Sequence, residues 1–241
     1  MTNKIQLKTP EDVRRYVCKV LRTIQESGDE QVIANAGKIS QLLGQWIKAY
    51  EVQELNLPFG RRVRVVQLTD IHSGIYMSRK EMRRYAEQVN ALQPDMFVLT
   101  GDYISNSMLF LPPCLEEMAR VSARCGRFAT LGNHEHWYGQ LEELQAIFNR
   151  HGIPLLQNSH QVIETPEGPF AVAGIDDLRT GAPDLPAALR GIAPGIPTIL
   201  LSHRPEIFPH AAAGGTGHSS AWCLIIFAST RKMTSSAMFV A

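Results

Sequence analysis

The feature that most constrains this chain is an alternation. From Val63 onward, short apolar runs rich in β-branched residues are separated by stretches of helical periodicity: "VRVVQLTD", a helix starting at Ser78 through "RKEMRRYAEQVNAL", then "PDMFVLTGD". A strand, a helix and a second buried strand make a β-α-β unit. The pattern continues with a helix around "CLEEMARVSARC", the strand "RFATLGN", a helix over "GQLEELQAIFNRHG", short strands at "QVIET" and "FAVAGID", and a buried strand at "PTILLSH". This alternation predicts an α/β fold with helices covering the sheet.

Ahead of it, "KTPEDVRRYVCKVLRTI" carries Thr9 as an N-cap, Pro10 at the first helical position and acids in the first turn. Val13, Tyr16, Val17, Val20, Leu21 and Ile24 recur at helical spacing, and a second amphipathic segment with Trp46 follows the break at "ESGDE". Residues 10–50 therefore read as a helical hairpin, either a cap packed on the main domain or a module for self-association. The domain reading is a hairpin extension over 1–55, the α/β domain over 56–213, and an atypical tail over 214–241.

At 241 residues and 44% hydrophobic, the chain can bury one substantial core. Its 24 basic and 23 acidic residues give a formal charge of +1, which offers no bulk attraction to nucleic acid or an anionic membrane. Cys18, Cys114, Cys125 and Cys223 show no C-x-x-C spacing, so they read as reduced thiols rather than zinc ligands or a disulfide framework. The N-terminus has no apolar targeting core. The longest apolar run, "AWCLIIFA", is far short of the ~20 residues a membrane helix needs. The expectation is a soluble, cytoplasmic protein.

Polar residues concentrate at the C-terminal ends of the strands, where open α/β sheets bind ligands. The first ends in "TDIH", and in an extended segment the i, i+2 spacing of Asp70 and His72 puts both side chains on one face. The second ends in "LTGD", with Asp102 after a glycine that permits a tight turn. The third ends in "LGNHEHW", placing Asn133 and His134 together; an amide oxygen can ligate a cation and an imidazole can donate a proton. The fourth, "LLSH", gives His203. Asp176 and Asp177 in "AGIDDLR" either line a substrate mouth or form a solvated turn.

As an ordered set, D-x-H, G-D, G-N-H-E and S-H resemble the calcineurin-like metallophosphoesterase family over about Val63–Ala213. "LTGDYI", "LGNHEHW", "AGIDD" and "ILLSHRPEIFP" look like its small bacterial phosphodiesterases, the branch that includes UDP-diacylglucosamine pyrophosphohydrolases. The resemblance implies a two-sheet sandwich flanked by helices, with two divalent metal ions (manganese, iron or zinc) at the strand ends. It makes Asp70 and His72 ligands of the first metal, Asp102 the bridge, and Asn133 and His203 ligands of the second. His134 would protonate the leaving oxygen. The implied substrate is a small phosphoester, a pyrophosphate or a lipid-linked phosphate, hydrolysed by a metal-activated water.

The chain departs from the family twice. A helical hairpin stands where that branch often has a membrane-anchoring helix. The family's closing G-H-x-H motif has no match: "TGHSS" offers His218 but puts Ser220 in the second histidine's place, and a hydroxyl is a poor substitute for an imidazole. The tail after Gly214 lacks the family's texture, which predicts a missing core strand and an exposed sheet edge. A rival to the hydrolase is thus a catalytically impaired metal-binding or scaffold protein. Of the clustered histidines, His203 is the expected ligand and His210 a surface or outer residue.

Overall fold

The structure, a computed structural model, describes residues 61–74 and 77–207, Pro209 and Ala211, and the backbone of strands at 52–54, 223–227 and 238–240. The chain divides into two units, Met1–Tyr50 and Glu51–Ala241. The expected hairpin over 10–50 lies outside the described residues, as do His210 and His218.

In chain order the elements are β1 (Val52–Glu54), β2 (Val65–Leu68), α1 (Arg79–Ala91), β3 (Met96–Thr100), α2 (Leu111–Met118), β4 (Arg127–Thr130), α3 (Asn133–Tyr138), α4 (Leu141–Arg150), β5 (Ser159–Ile163), β6 (Phe170–Gly174), α5 (Leu185–Leu189), β7 (Thr198–Ser202), β8 (Cys223–Phe227) and β9 (Met238–Val240). They form two sheets, β1-β9-β2-β3-β4 and β5-β6-β7-β8. In the first, β2, β3 and β4 run parallel; in the second, β6, β7 and β8 do. Strand β5 pairs antiparallel with β6, and β9 antiparallel with β2. The α/β alternation predicts these parallel runs, because each helical crossover returns the chain in the same direction.

Strand periodicity sorts the core into layers. Met96 and Val98 of β3 join Val65, Phe128, Phe170, Val172, Ile199 and Leu201 between the two sheets. Phe97 and Leu99, the alternate residues, face the other way and pack with Met82, Ala86 and Val89 of α1 and Leu115 of α2. Ala173 and Leu200 face outward from the second sheet onto Ile175, Ile207, Leu185 and Leu189. The result is a two-sheet sandwich flanked by helices.

Helix α1 begins at Ser78 as expected. Its N–H and Oγ engage the Glu81 carboxylate (2.9 Å each) while Glu81 N–H reaches back to Ser78 Oγ. It stops before Pro94, which disfavours the helical region at Gln93; that residue turns left-handed at φ 51°. Helix α2 starts three residues ahead of Cys114, with Pro112 and Pro113 in its first turn where their missing N–H groups cost nothing, and it ends at Met118.

The tail requires a correction. The sequence reading places no strand beyond Ser202, yet Cys223–Phe227 adds parallel to β7, covering the edge that was expected to be open, and Met238–Val240 inserts between β1 and β2. "CLIIF" carries the β-branched, apolar composition that suits a buried strand. Its neighbours "GGTGHSS" and "STRKMTSS" hide that signal by breaking the α/β rhythm around it. Among the described residues, no helix is long and apolar enough to cross a membrane.

Candidate metal centre

Because β2, β3 and β4 are parallel, the loops leaving their C-terminal ends lie side by side, and β7 brings its own loop to them from the second sheet. The first two loops are zipped together by backbone hydrogen bonds: Asp70 N–H to Gly101 O (3.1 Å), His72 N–H to Asp102 O (2.9 Å) and Ser73 N–H to Tyr103 O (2.7 Å). Strand β2 has ended at Leu68, so Asp70 and His72 do not share a face through extended backbone as their spacing suggests. Both are left-handed, at φ 52° and 48°, as is Asp102 at 55°. Such residues cost of order 1 kcal/mol each and persist only where surrounding bonds hold them.

Glu135 supplies much of that hold. Fully buried on α3, it accepts the N–H groups of Asp102 (2.9 Å), Gly132 (3.0 Å) and Tyr103 (2.8 Å). Burial first, and then the nearby Asp102 charge, push its carboxyl up to about 7 despite those bonds. The Tyr103 hydroxyl sits between the Leu99 (2.9 Å) and Thr130 (2.5 Å) carbonyls and accepts Gly101 N–H (3.2 Å), tying β3 to β4 beneath the site. Two glycines permit the close approach. A Cβ on Gly101 would lie 2.6 Å from Gly132 N and 2.8 Å from His203 Nδ1, and one on Gly132 would overlap the Asp102 carboxylate. Gly101 also stands at φ +92°, a conformation that side chains disfavour.

On this frame the sequence-predicted donors converge around Asp102, which is 5% exposed. His203 Nδ1 bonds the Thr100 carbonyl (2.8 Å), so it carries the proton and leaves Nε2 bare, 3.6 Å from Asp102 Oδ1. His134 Nδ1 likewise bonds Ser105 O (2.7 Å), and its Nε2 stands 3.8 Å from Asp102 Oδ2. His72 Nε2 lies 3.7 Å from Asp102 Oδ2 and 3.9 Å from Asp70 Oδ1. These separations exceed hydrogen-bond length: the donors face a common space without closing on each other. Fixed Nδ1 tautomers with inward Nε2 atoms are the arrangement metal-binding histidines adopt.

Among the described residues, two trios have donor atoms within 4.8 Å of one another, His72–Asp102–His134 and Asp70–Asp102–His203, and both contain Asp102. Each can hold a cation, and the mixed N/O set suits manganese, iron or zinc. The resemblance assigns Asp70 and His72 to one metal; they fall in different trios, with His72 Nε2 3.9 Å from Asp70 Oδ1. His134, read from the sequence as a proton donor, lies with one of them, its ring 4.6 Å from that of His72 and 4.9 Å from Trp137.

Asn133 is 7% exposed at the start of α3, but its side-chain oxygen, expected as a ligand atom, accepts a 2.6 Å hydrogen bond from Arg204 Nη2. Asp176 and Asp177 form no solvated turn; they are 2% and 0% exposed. Asp176 accepts from His136 Nε2 (2.6 Å), Gln157 (2.8 Å) and the Ala182 N–H (2.9 Å). Burial raises its carboxyl, but the His136 bond and the others outweigh it and hold the pKa at about 2, while the same pairing raises that of His136. Asp177 accepts from Arg204 Nε (2.8 Å) and from Thr180 and Arg179.

Glu135, Arg204 and His136 are the residues that sequence reasoning passed over. Glu135 had a signal: an acid three residues after Gly132 at a helix start can reach back to loop N–H groups. Arg204 had only its place beside His203.

This arrangement belongs to a recognisable class. The profile of the calcineurin-like phosphoesterases matches residues 63–221, and the chain belongs to that family. It is 32% identical over 154 residues to a Danio rerio protein called transmembrane protein with metallophosphoesterase domain, covering 60% of this chain and 35% of that one. It is 25% identical over 146 residues to the uncharacterized metallophosphoesterase YkuE of Bacillus subtilis, covering 59% and 51%. The crystal structure of TT1561 of Thermus thermophilus superposes with a TM-score of 0.48 at 10% identity, covering 74% of this chain and 88% of that one. The match to this chain thus spans between about a third and about half of the two curated relatives.

Proposed function

We propose that the protein hydrolyses phosphoester or pyrophosphate bonds with two divalent metal ions. The observation that carries the reading is the pair of donor trios sharing the buried Asp102 carboxylate. Asp70, His72, Asp102 and His203 would hold the ions, with Asn133 beside the second, while His134, the third member of the His72–Asp102 trio, would keep its Nε2 for a proton rather than a metal. Bound there, the metals would polarise the phosphoryl group and lower the pKa of an attacking water. The protein's own groups then have separate tasks. Asp102 neutralises charge between the two positions. Glu135 fixes the Asp102 backbone. His134, its Nδ1–H directed to Ser105 O, presents Nε2 to hold the proton that the leaving oxygen receives.

The substrate class implied is a small phosphoester, a pyrophosphate or a lipid-linked phosphate. The test is metal content together with hydrolysis of an aryl phosphodiester in added Mn²⁺, comparing the chain with Asp102→Ala. We expect metal to bind and turnover to fall by at least ~10²-fold in the variant. A parent chain without bound metal, or no faster than the variant, refutes the reading.

A second reading, a metal-binding protein with impaired turnover, draws support from two features. On the resemblance, "TGHSS" would put Ser220 in the place of the family's second closing histidine, and the Asn133 oxygen is already taken up by Arg204. Stoichiometric metal with no turnover would favour it.

A further inference from the structure

Arg204 is placed by two hydrogen bonds of its guanidinium and two of its backbone. Its Nε–H donates to Asp177 Oδ1 (2.8 Å) and Nη2 donates to Asn133 Oδ1 (2.6 Å). Its backbone is pinned by a reciprocal turn, Arg204 N–H to Ser202 Oγ (3.2 Å) and Ser202 Oγ–H to Arg204 O (2.9 Å). Asp177 is fully buried, and its other oxygen is saturated by the Thr180 hydroxyl (2.7 Å), Thr180 N–H (2.9 Å) and Arg179 N–H (3.1 Å). Burial raises the Asp177 carboxyl, but those bonds and the Arg204 charge outweigh it and keep it ionised. The arginine is therefore held by a carboxylate that cannot swing away to follow it.

What this leaves free is specific. A guanidinium has five N–H donors in one plane. Nε–H and one hydrogen of Nη2 form its side-on edge, and here both are used. The end-on edge, one hydrogen of Nη1 and the second of Nη2, meets no acceptor among the described residues, and neither does the remaining Nη1 hydrogen. The side chain is 18% exposed, so the fork is neither sealed in the core nor spread into solvent. It is anchored on Asn133, which adjoins His134, and it follows His203 directly in the chain. A planar, always-charged fork with its far edge open suits two oxygens of a tetrahedral oxyanion.

We propose that Arg204 is the phosphoryl-binding residue of this centre, its end-on edge contacting two non-bridging oxygens of the substrate, with Asp177 as the positioning residue behind it. The proposal rests on the phosphoesterase reading for its substrate, but it concerns an oxyanion contact made by the chain itself. Fixed in advance, the fork needs no reordering when charge builds on the phosphoryl oxygens, which is where an electrostatic donor acts most effectively. Lysine cannot replace it, since a single ammonium cannot span two oxygens while keeping the bonds to Asp177 and Asn133.

The experiment measures three quantities on the full chain, on Arg204→Gln and on Arg204→Lys: Mn²⁺ stoichiometry, calorimetric affinity for inorganic phosphate with and without Mn²⁺, and steady-state hydrolysis of an aryl phosphodiester. Arg204→Gln should bind Mn²⁺ as the parent does, bind phosphate at least about tenfold more weakly, and lose about 10²-fold in kcat/KM. Arg204→Lys should keep Mn²⁺ and recover only part of the phosphate affinity. Millimolar guanidinium ion added to Arg204→Gln should restore part of the turnover, an effect that a merely structural role would not produce.

The proposal is overturned if a variant that keeps its Mn²⁺ binds phosphate as tightly as the parent, or if the parent binds no phosphate. It is also overturned if both variants lose Mn²⁺, since Arg204 would then act only by holding Asn133. Arg204→Lys stands in should Arg204→Gln fail to fold. A parent that binds phosphate through Arg204 but takes up no Mn²⁺ would instead sink the phosphoesterase reading and leave the anion contact standing.

Discussion

One methyl group placed on Gly132 tests how closely the loops must approach. Gly132 has extended backbone (φ −107°, ψ −176°), which any residue adopts, so Gly132→Ala introduces no conformational strain. Its cost is collision alone. The added Cβ would lie 2.6 Å from Asp102 N and closer still to Asp102 Oδ1. That is about 0.9 Å short of the ~3.5 Å at which non-bonded heavy atoms rest. Neither neighbour is free to yield: Asp102 N–H is held by Glu135 at 2.9 Å, and Asp102 Oδ1 accepts the His134 N–H at 3.1 Å. Overpacking of this kind costs about 1–3 kcal/mol of stability. If the loop slides to relieve it, the Asp102 carboxylate moves by about 1 Å relative to the histidines, a displacement that costs roughly 10²-fold in chemistry and 10–100-fold in metal affinity. Urea unfolding in chelator reads the first quantity, and competition for Mn²⁺ with a chromogenic chelator reads the second. A folded Gly132→Ala chain that binds Mn²⁺ within a factor of about three of the parent would refute the claim that this contact sets the ligand geometry.

Glu117, fully buried on α2, accepts from Arg79 (2.6 Å), Arg83 (2.9 and 3.0 Å) and Arg120 (2.8 Å). The Arg83 bond foremost, working against burial and joined by Arg79 and the Arg120 charge, lowers its carboxyl from 4.5 to about 2. A depressed acid stabilises the fold above its unfolded pKa and loses that contribution as pH falls through its folded one. Glu117→Gln should therefore cost about 2 kcal/mol at pH 7, after discounting for the half-exposed guanidinia, and the difference from the parent should shrink between about pH 4.5 and 2; a pH-independent difference in urea unfolding contradicts this. Saturating Mn²⁺, at about a hundred times its dissociation constant, should raise unfolding stability by about 2.7 kcal/mol, and chelator should abolish the gain; no shift in the urea midpoint rules out a native-state site. Thr130→Val removes the 2.6 Å bond from Thr130 Oγ1 to Ile175 O between the sheets and should cost about 1–3 kcal/mol while weakening Mn²⁺ binding; an unchanged Mn²⁺ affinity would show that this tie does not position the donors.

The strands that carry the site were legible because each is a buried run with turn residues at its end. Val65–Leu68, Met96–Thr100 and Thr198–Ser202 fall inside the stretches that apolar pattern alone marks out. Local rules also found the start of α1, since a capping box needs only Ser78 and Glu81. What escaped was set by other parts of the chain. Asp70 and His72 are left-handed because hydrogen bonds to Gly101 and Asp102, some thirty residues on, fix their backbone. Asp176 and Asp177 looked like a polar turn because nothing nearby in sequence announces His136, Gln157 or Arg204 as their partners. Strand β8 escapes for the same reason: pairing with β7, not its flanks, makes "CLIIF" a strand of the second sheet.

The two sheets explain why the donors meet at all. Asp70, His72 and Asp102 belong to loops of the first sheet, and Asn133 and His134 to the first turn of α3 that follows β4, whereas Asp177, His203 and Arg204 belong to loops of the second. The His72–Asp102–His134 trio lies wholly on the first layer, whereas the Asp70–Asp102–His203 trio takes its members from both. The layers are held in register by the apolar cluster between them and, at the site itself, by the bonds from His203 Nδ1 to Thr100 O and from Thr130 Oγ1 to Ile175 O. The first of these bonds has two consequences, since the proton that ties His203 to β3 is the one whose placement leaves Nε2 bare toward Asp102. For the trio that contains His203, sheet docking and ligand readiness are therefore one event: a perturbation that slips one layer against the other should disarm that trio before it unfolds the chain.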